Sequence, residues 1–221
     1  MRQDLTDLTM VIDRSGSMHR GLKQAQEGLD EFFNKQKQAK GECNISLLEF
    51  DDEFNYVYDA VNIKDTTGYT LEPRGMTALN DAIAMAINKT GQRLAELPEE
   101  ERPGLVMFCV VTDGGENASK EFPGYDRGNE RLKEMIDLQT NTYNWKFTFI
   151  GANQNAVTEG GARGFAKSSS LSVSKNSNLA HAYNSMSSGV ECLRNQTFER
   201  GPVEIYEQID YSDSDRKKAT K

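Results

Sequence analysis

Cysteine, histidine and tryptophan are scarce in this chain: 221 residues include three cysteines, two histidines and one tryptophan. Cys43, Cys109 and Cys192 lie far apart, with no Cys-x-x-Cys pair. Cys109 sits inside the apolar run LVMFCVV, so all three are read as reduced, mostly buried thiols and not as metal ligands. A chain of this length buries a core without disulfides or structural zinc. Basic charge is also short: 26 Lys and Arg face 34 Asp and Glu, a net charge of −8. That balance argues against a nucleic-acid or anionic-membrane partner, which a basic patch would serve. The one basic cluster, Arg216, Lys217 and Lys218, reads as part of a solvated tail. No apolar run is long enough to span a membrane, and MRQDLTDLTMVID lacks the core of a signal peptide. The expected compartment is therefore the reducing cytoplasm. The glycosylation-like triplet Asn117-Ala118-Ser119 then carries no meaning. No GxGxxG and no GxxxxGK[ST] occurs, and Gly151-Ala152-Asn153 and Gly160-Gly161 read as turns, so nucleotide binding has little support.

What is present alternates. Leu5 to Ile12 reads as a strand, followed by the polar loop DRSGSM. Leu22, Ala25, Leu29, Phe32 and Phe33 have helical spacing. Cys43 to Phe50, the turn Asp51-Asp52, and alternating Phe54, Tyr56 and Tyr58 read as a hairpin. Asp51, Asp52, Glu53 and Asp59 are taken as its turn and solvated edge. Thr77 stands where an N-cap is expected before the helical pattern Leu79, Ala82, Ile83, Ala86, Ile87 and Leu94. Leu105 to Val111 is apolar throughout, as in a strand covered on both faces. A helix around Leu132 and Ile136, a strand Trp145 to Ile150, a short helix and a strand at Leu171 and Val173 follow. Leu179 to Leu193 is the last helix. The expectation is an α/β fold, doubly wound, with a mostly parallel sheet, one antiparallel edge strand and helices on both faces. Residues 1–197 would form one domain and residues 198–221 a C-terminal tail, its end disordered.

In such sheets ligands bind beyond the carboxyl ends of the strands, near the point where strand order reverses. DRSGS follows the first strand, TDGGEN follows the central one, and RGMT precedes a helix. Asp13, Ser15, Ser17, Thr77 and Asp113 can thus converge. Five oxygen donors without His or Cys suit a hard cation, Mg²⁺ first, then Mn²⁺ or Ca²⁺. Only Asp13 and Asp113 are anions. If one acts through a water, the ion keeps positive charge and an open position for an incoming carboxylate. Glu116 and Asn117 are read as shaping the rim or, slightly preferred, capping the next helix. His19 and His181 are read as a surface and a structural histidine.

These residues resemble the metal-ion-dependent adhesion site of the von Willebrand factor A family. DRSGSM at 13–18 matches its DxSxS motif, Thr77 in PRGMTALNDAI its second-loop threonine, and Asp113 in VVTDGGEN its third-loop aspartate. The likeness runs over roughly residues 5–195. It is nearer to small bacterial and phage cytosolic members than to integrin inserted domains. The shared strings are FDDEF at 50–54, YTLEPRGMTAL at 69–79, TDGGENAS at 112–119 and WKFTFIGANQ at 145–154. One departure is Asn80, where some relatives carry Leu or Met, which would alter the rim. The resemblance implies a non-enzymatic module whose metal completes its coordination on an Asp or Glu of a protein partner, in intracellular assemblies.

Two other classes compete. One is a metal-dependent phosphatase or hydrolase using Asp13. A haloacid-dehalogenase-like enzyme needs a carboxylate two residues further on, where Ser15 stands, and no GxSxG elbow surrounds Ser15 or Ser17. The other is a structural assembly subunit that uses the fold without metal.

Overall fold

The structure, a computed structural model, describes residues 1–125, 127–152, 155–174, 179–202 and 208–220. The strands are β1 (Arg2–Asp13), β2 (Glu42–Phe50), β3 (Phe54–Asn62), β4 (Pro103–Thr112), β5 (Lys146–Ala152) and β6 (Ser170–Val173). The helices are α1 (Leu22–Gln38), α2 (Leu79–Ala95), α3 (Gly128–Tyr143), α4 (Ala156–Ala162), α5 (Leu179–Arg200) and α6 (Asp213–Ala219). The sheet runs in the order β3-β2-β1-β4-β5-β6. All neighbours are parallel except β2 and β3, which form the antiparallel hairpin at one edge. The expected architecture is thus the observed one.

Period-2 side-chain alternation divides β1 and β4 between two cores. Leu8, Met10 and Ile12 of β1 and Leu105, Met107, Cys109 and Val111 of β4 pack with α1 and α5. Val11, Val106, Phe108 and Val110 pack on the other face with α2 and α3. Burial on both faces explains why LVMFCVV shows no polar alternation. Polar residues of β1 also turn toward α2. Asp7 pairs with Arg93 through two bonds of 2.9 and 2.8 Å, and Thr9 and Thr90 hydroxyls meet at 3.4 Å. Asp7 and Thr9 are tolerated in the core because each is matched in this way. Cys43 and Cys109 are buried, but Cys192 is exposed, because it falls on the outer face of α5.

The C-terminal end departs from the expected disordered tail. Helix α5 continues to Arg200. Ile209 and Tyr211 are buried, and the Tyr211 hydroxyl meets Thr148 Oγ1 at 2.8 Å. Ser212 and Asp215 form a capping box at the start of α6. Arg216, read from sequence as solvated, donates to the carbonyls of Ser170, Lys167 and Ser168 at 2.7 to 3.0 Å. The segment is too short for helical periodicity to register, and its anchors are single residues separated by polar ones.

Candidate metal centre

The strand order reverses between β1 and β4, which leave in opposite directions to β2 and β5. Their carboxyl ends carry the first and third loops and meet the second loop, residues 66–78, arriving ahead of α2. Asp13 ends β1 and is fully buried. Its Oδ1 accepts from Ser15 N at 2.6 Å and its Oδ2 from Thr112 Oγ1 at 2.6 Å. Ser15 Oγ lies 3.1 Å from Ser17 Oγ, and Ser17 Oγ donates to Asp113 Oδ1 at 2.5 Å. A β-carbon built on Gly114 would lie 3.2 Å from Thr77 Oγ1, 3.3 Å from Ser17 Oγ and 3.9 Å from Asp13 Oδ2. Three loops therefore crowd their oxygens around a residue that has no side chain. Glycine at 114 keeps that space open.

The electrostatics follow from burial. Loss of water pushes the Asp13 carboxyl up to about 6, against the lowering effect of the bonds from Thr112 and Ser15, while the Asp113 charge adds to the rise. Burial also raises Asp113, opposed by Ser17 and by the positive charge of Arg20. Two desolvated carboxylates and three hydroxyls form a donor set suited to a hard cation. Among the described residues no group of three or more His, Cys, Asp or Glu is placed to hold a metal, so any ion here depends on the hydroxyls.

Thr77 is not the helix cap expected from sequence; the N-cap of α2 is Ala78. Instead the third loop grips Thr77 by its backbone. Thr77 N donates to Asn117 Oδ1 at 2.9 Å, and its carbonyl accepts from Asn117 N and Ala118 N at 3.0 and 3.1 Å. Glu116 accepts from Asn80 N at 2.8 Å, in the first turn of α2, and from Ser119 N at 2.7 Å. The preferred reading of these two residues as caps of the next helix is corrected: they fasten the preceding loop and helix. Asn80 is fully buried. It donates to Phe122 O and Asn129 Oδ1 and accepts from Arg163 Nε at 2.7 Å, so it is an internal tie and no part of a rim.

Thr112 was missed by sequence reasoning because it reads as an ordinary first residue of the TDGGEN loop; its position just before Asp113 is the only local signal. Asp51 was misread as solvated. It is 1% exposed, since the loop ahead of Thr77 folds over it. Glu49 is buried beside it, and Asp59 pairs with Lys89 at 2.7 Å on the expected edge. His19 is exposed, as expected, and His181 sits on α5 with Nε2 4.0 Å from Asp215. Asn153 and Gln154 of the last shared string lie outside the described residues.

No family model matches the chain. Solved structures share its fold, among them the following three. The vWF domain of the type V pili tip protein Mfa5 from Porphyromonas gingivalis superposes with a TM-score of 0.62 at 13% identity, covering 91% of this chain and 98% of that one. A von Willebrand factor type A protein from Catenulispora acidiphila gives 0.56 at 13% identity, over 84% of this chain and 42% of that one. Proximal thread matrix protein 1 of the mussel byssus, with a zinc-occupied MIDAS motif, gives 0.54 at 14% identity, over 87% and 46%. At these identities the likeness is one of fold. A medium-chain acyl-CoA ligase, ACSF2, from Bos taurus is 33% identical over 119 residues, which are 51% of this chain. The match spans only 18% of that enzyme's length. Among the described residues no helix is long and apolar enough to cross a membrane.

Proposed function

We propose that this chain is a divalent-metal-dependent protein-interaction module, with Asp13, Ser15, Ser17, Thr77 and Asp113 as its metal ligands. The observation that carries this reading is the crowding of Asp13, Ser17 and Thr77 oxygens around Gly114, with Asp113 bonded to Ser17. A bound ion supplies Lewis-acid attraction for an anionic group. The chain's own part is to hold two carboxylates and three hydroxyls on three loops and to keep the total negative charge low. Mg²⁺ is the ion proposed first, with Mn²⁺ and Ca²⁺ as alternatives, since all three take oxygen ligands. The partner is a protein that offers an Asp or Glu side chain, and the setting is cytoplasmic. The zinc-occupied motif of the mussel protein and the pilus-tip role of the Mfa5 domain support a metal-dependent contact between proteins. No activity is carried over from the ligase.

Titration calorimetry with Mg²⁺ and Mn²⁺ on wild type and Asp13→Ala tests the metal. Binding in wild type and its loss in a variant with unchanged circular dichroism is the expected result. Unchanged affinity in Asp13→Ala would end the assignment. Once a partner is purified, Thr77→Ala with saturating Mg²⁺ tests the mechanism. Truncating one member of a charge-assisted contact costs about 2–5 kcal/mol, enough to lose a micromolar complex. Wild-type binding that persists in EDTA would place the partner elsewhere.

A further inference from the structure

We infer that Asp51 is a positioning residue that clamps the DRSGS loop and the Thr77 loop into one unit. This rests on the metal reading above for its functional meaning, but the clamp itself stands on local geometry. Asp51 is 1% exposed, at the turn between β2 and β3, away from the five proposed ligands in sequence. Its Oδ2 accepts from Arg74 Nε at 2.8 Å and lies 3.2 Å from Arg14 Nε. Its carbonyl accepts from Ala78 N at 2.9 Å, the residue after Thr77. Its Oδ1 accepts from Glu53 N at 2.6 Å, which fixes the turn that carries it. One buried carboxylate thus contacts an arginine of each loop, and its backbone holds the start of α2.

The two loops are also joined directly. Arg74 N donates to Arg14 O at 2.7 Å and Gly16 N donates to Gly75 O at 3.2 Å, on either side of Ser15. Gly75 adopts φ +67°. A side chain there would strike Asp52 Oδ1 and press on Asp51 Cβ at 3.0 Å, so the loop can lie down on the acidic turn only as glycine. Met76 N reaches Asp52 Oδ1 at 3.0 Å. Arg14 is held from behind as well, by Glu49 Oε1 at 2.7 Å, and Glu49 in turn accepts from Asn55 and from the Tyr69 hydroxyl, both at 2.8 Å. Arginine side chains anchored at both ends hold their backbone, and here that backbone carries Ser15 and leads to Thr77. Losing the Asp51 charge leaves two arginines competing for fewer acceptors and frees the second loop.

The test uses Asp51→Asn, Thr77→Ala, the double variant, and Asp7→Asn as a control. Asp7 lies six residues along β1 from Asp13, about 20 Å away at strand rise, in the separate pair with Arg93. Amide hydrogen exchange in EDTA should quicken at Gly16, Arg74 and Ala78 in Asp51→Asn by tenfold or more, with β4 unchanged. Mn²⁺ affinity should fall about tenfold in Asp51→Asn, stay at the wild-type value in Asp7→Asn, and fall no further when Asp51→Asn is added to Thr77→Ala. Unchanged exchange at those three amides overturns the clamp. Equal affinity losses in Asp51→Asn and Asp7→Asn also overturn it, reducing Asp51 to general stability. If wild type binds no Mn²⁺, the metal reading fails and the exchange result alone decides the clamp.

Discussion

Asp13 is held as a carboxylate in a place where water cannot reach it, and its proton affinity records that. A carboxyl whose folded value, about 6, lies above its ordinary 3.8 binds a proton more tightly when folded than when unfolded. Its contribution to stability is therefore full below about pH 4 and is lost as pH rises through about 6, up to about 3 kcal/mol. Calorimetric melting in EDTA between pH 4 and 7.5 should show wild type falling relative to Asp13→Asn, which cannot titrate. Added Mn²⁺ should raise the wild-type melting temperature more at pH 7.5 than at pH 5, because binding competes with the proton. A wild-type and Asp13→Asn difference that stays flat with pH would show that Asp13 is not strained by burial. Thr112 offers a second test. Thr112→Val removes the 2.6 Å donor to Asp13 Oδ2, so it should cost about 1–3 kcal/mol in urea unfolding and weaken Mn²⁺ binding. Asp13 was legible in the sequence because its motif is local. Thr112 was not, because its partner is 99 residues away.

At the scale of elements, α1 and α5 approach so closely that Gly28 has no room for a side chain. A β-carbon there would lie 2.7 to 2.9 Å from Tyr183, which is fully buried against the sheet. Gly28→Ala gains helix propensity of up to about 1 kcal/mol, but overpacking costs typically about 1–3 kcal/mol. The expected result is a lower melting temperature, read by circular dichroism. A rise would mean that Tyr183 moves aside freely. Gly28 reads in the sequence as an ordinary flaw in a helical pattern, and only the packing of the two helices gives it a reason. The helices and strands themselves were legible because apolar spacing sets them. Leu8, Met10 and Ile12 against α1 and α5, with Val11 against α2, is the pattern a two-sided sheet imposes. The loops were harder, since Asp51 and Asp52 look alike in sequence yet one is buried and the other exposed.

For the whole molecule, the C-terminal segment is a test of what belongs to the fold. A chain ending at residue 207 would lose Ile209, Tyr211 and the buried Ala219, together with the bonds from Arg216 to the loop before β6 and to its first residue. Burial of Ile and Tyr side chains is worth about 1.5–3 kcal/mol each, so the melting temperature should fall by roughly 6–24 °C. Mn²⁺ affinity should be unchanged, because the segment packs at β6, the edge strand, while the site lies between β1 and β4. A truncated chain as stable as the full one would restore the reading of this end as a tail.

The sequence by itself determined the layered α/β architecture, the antiparallel edge and the motifs that carry the five proposed ligands. Those depend on periodicity and on short motifs, both of which are written in neighbouring positions. Only the tertiary structure decided that Asp51 is buried under the Thr77 loop, that Asn117 grips Thr77, that Asn80 is an internal tie, and that residues 208–220 are packed. Each of these is a pairing across 20 or more residues. The physical reason is that hydrogen bonds and burial act through space, so a polar residue has the same local signature whether a distant loop covers it or water does.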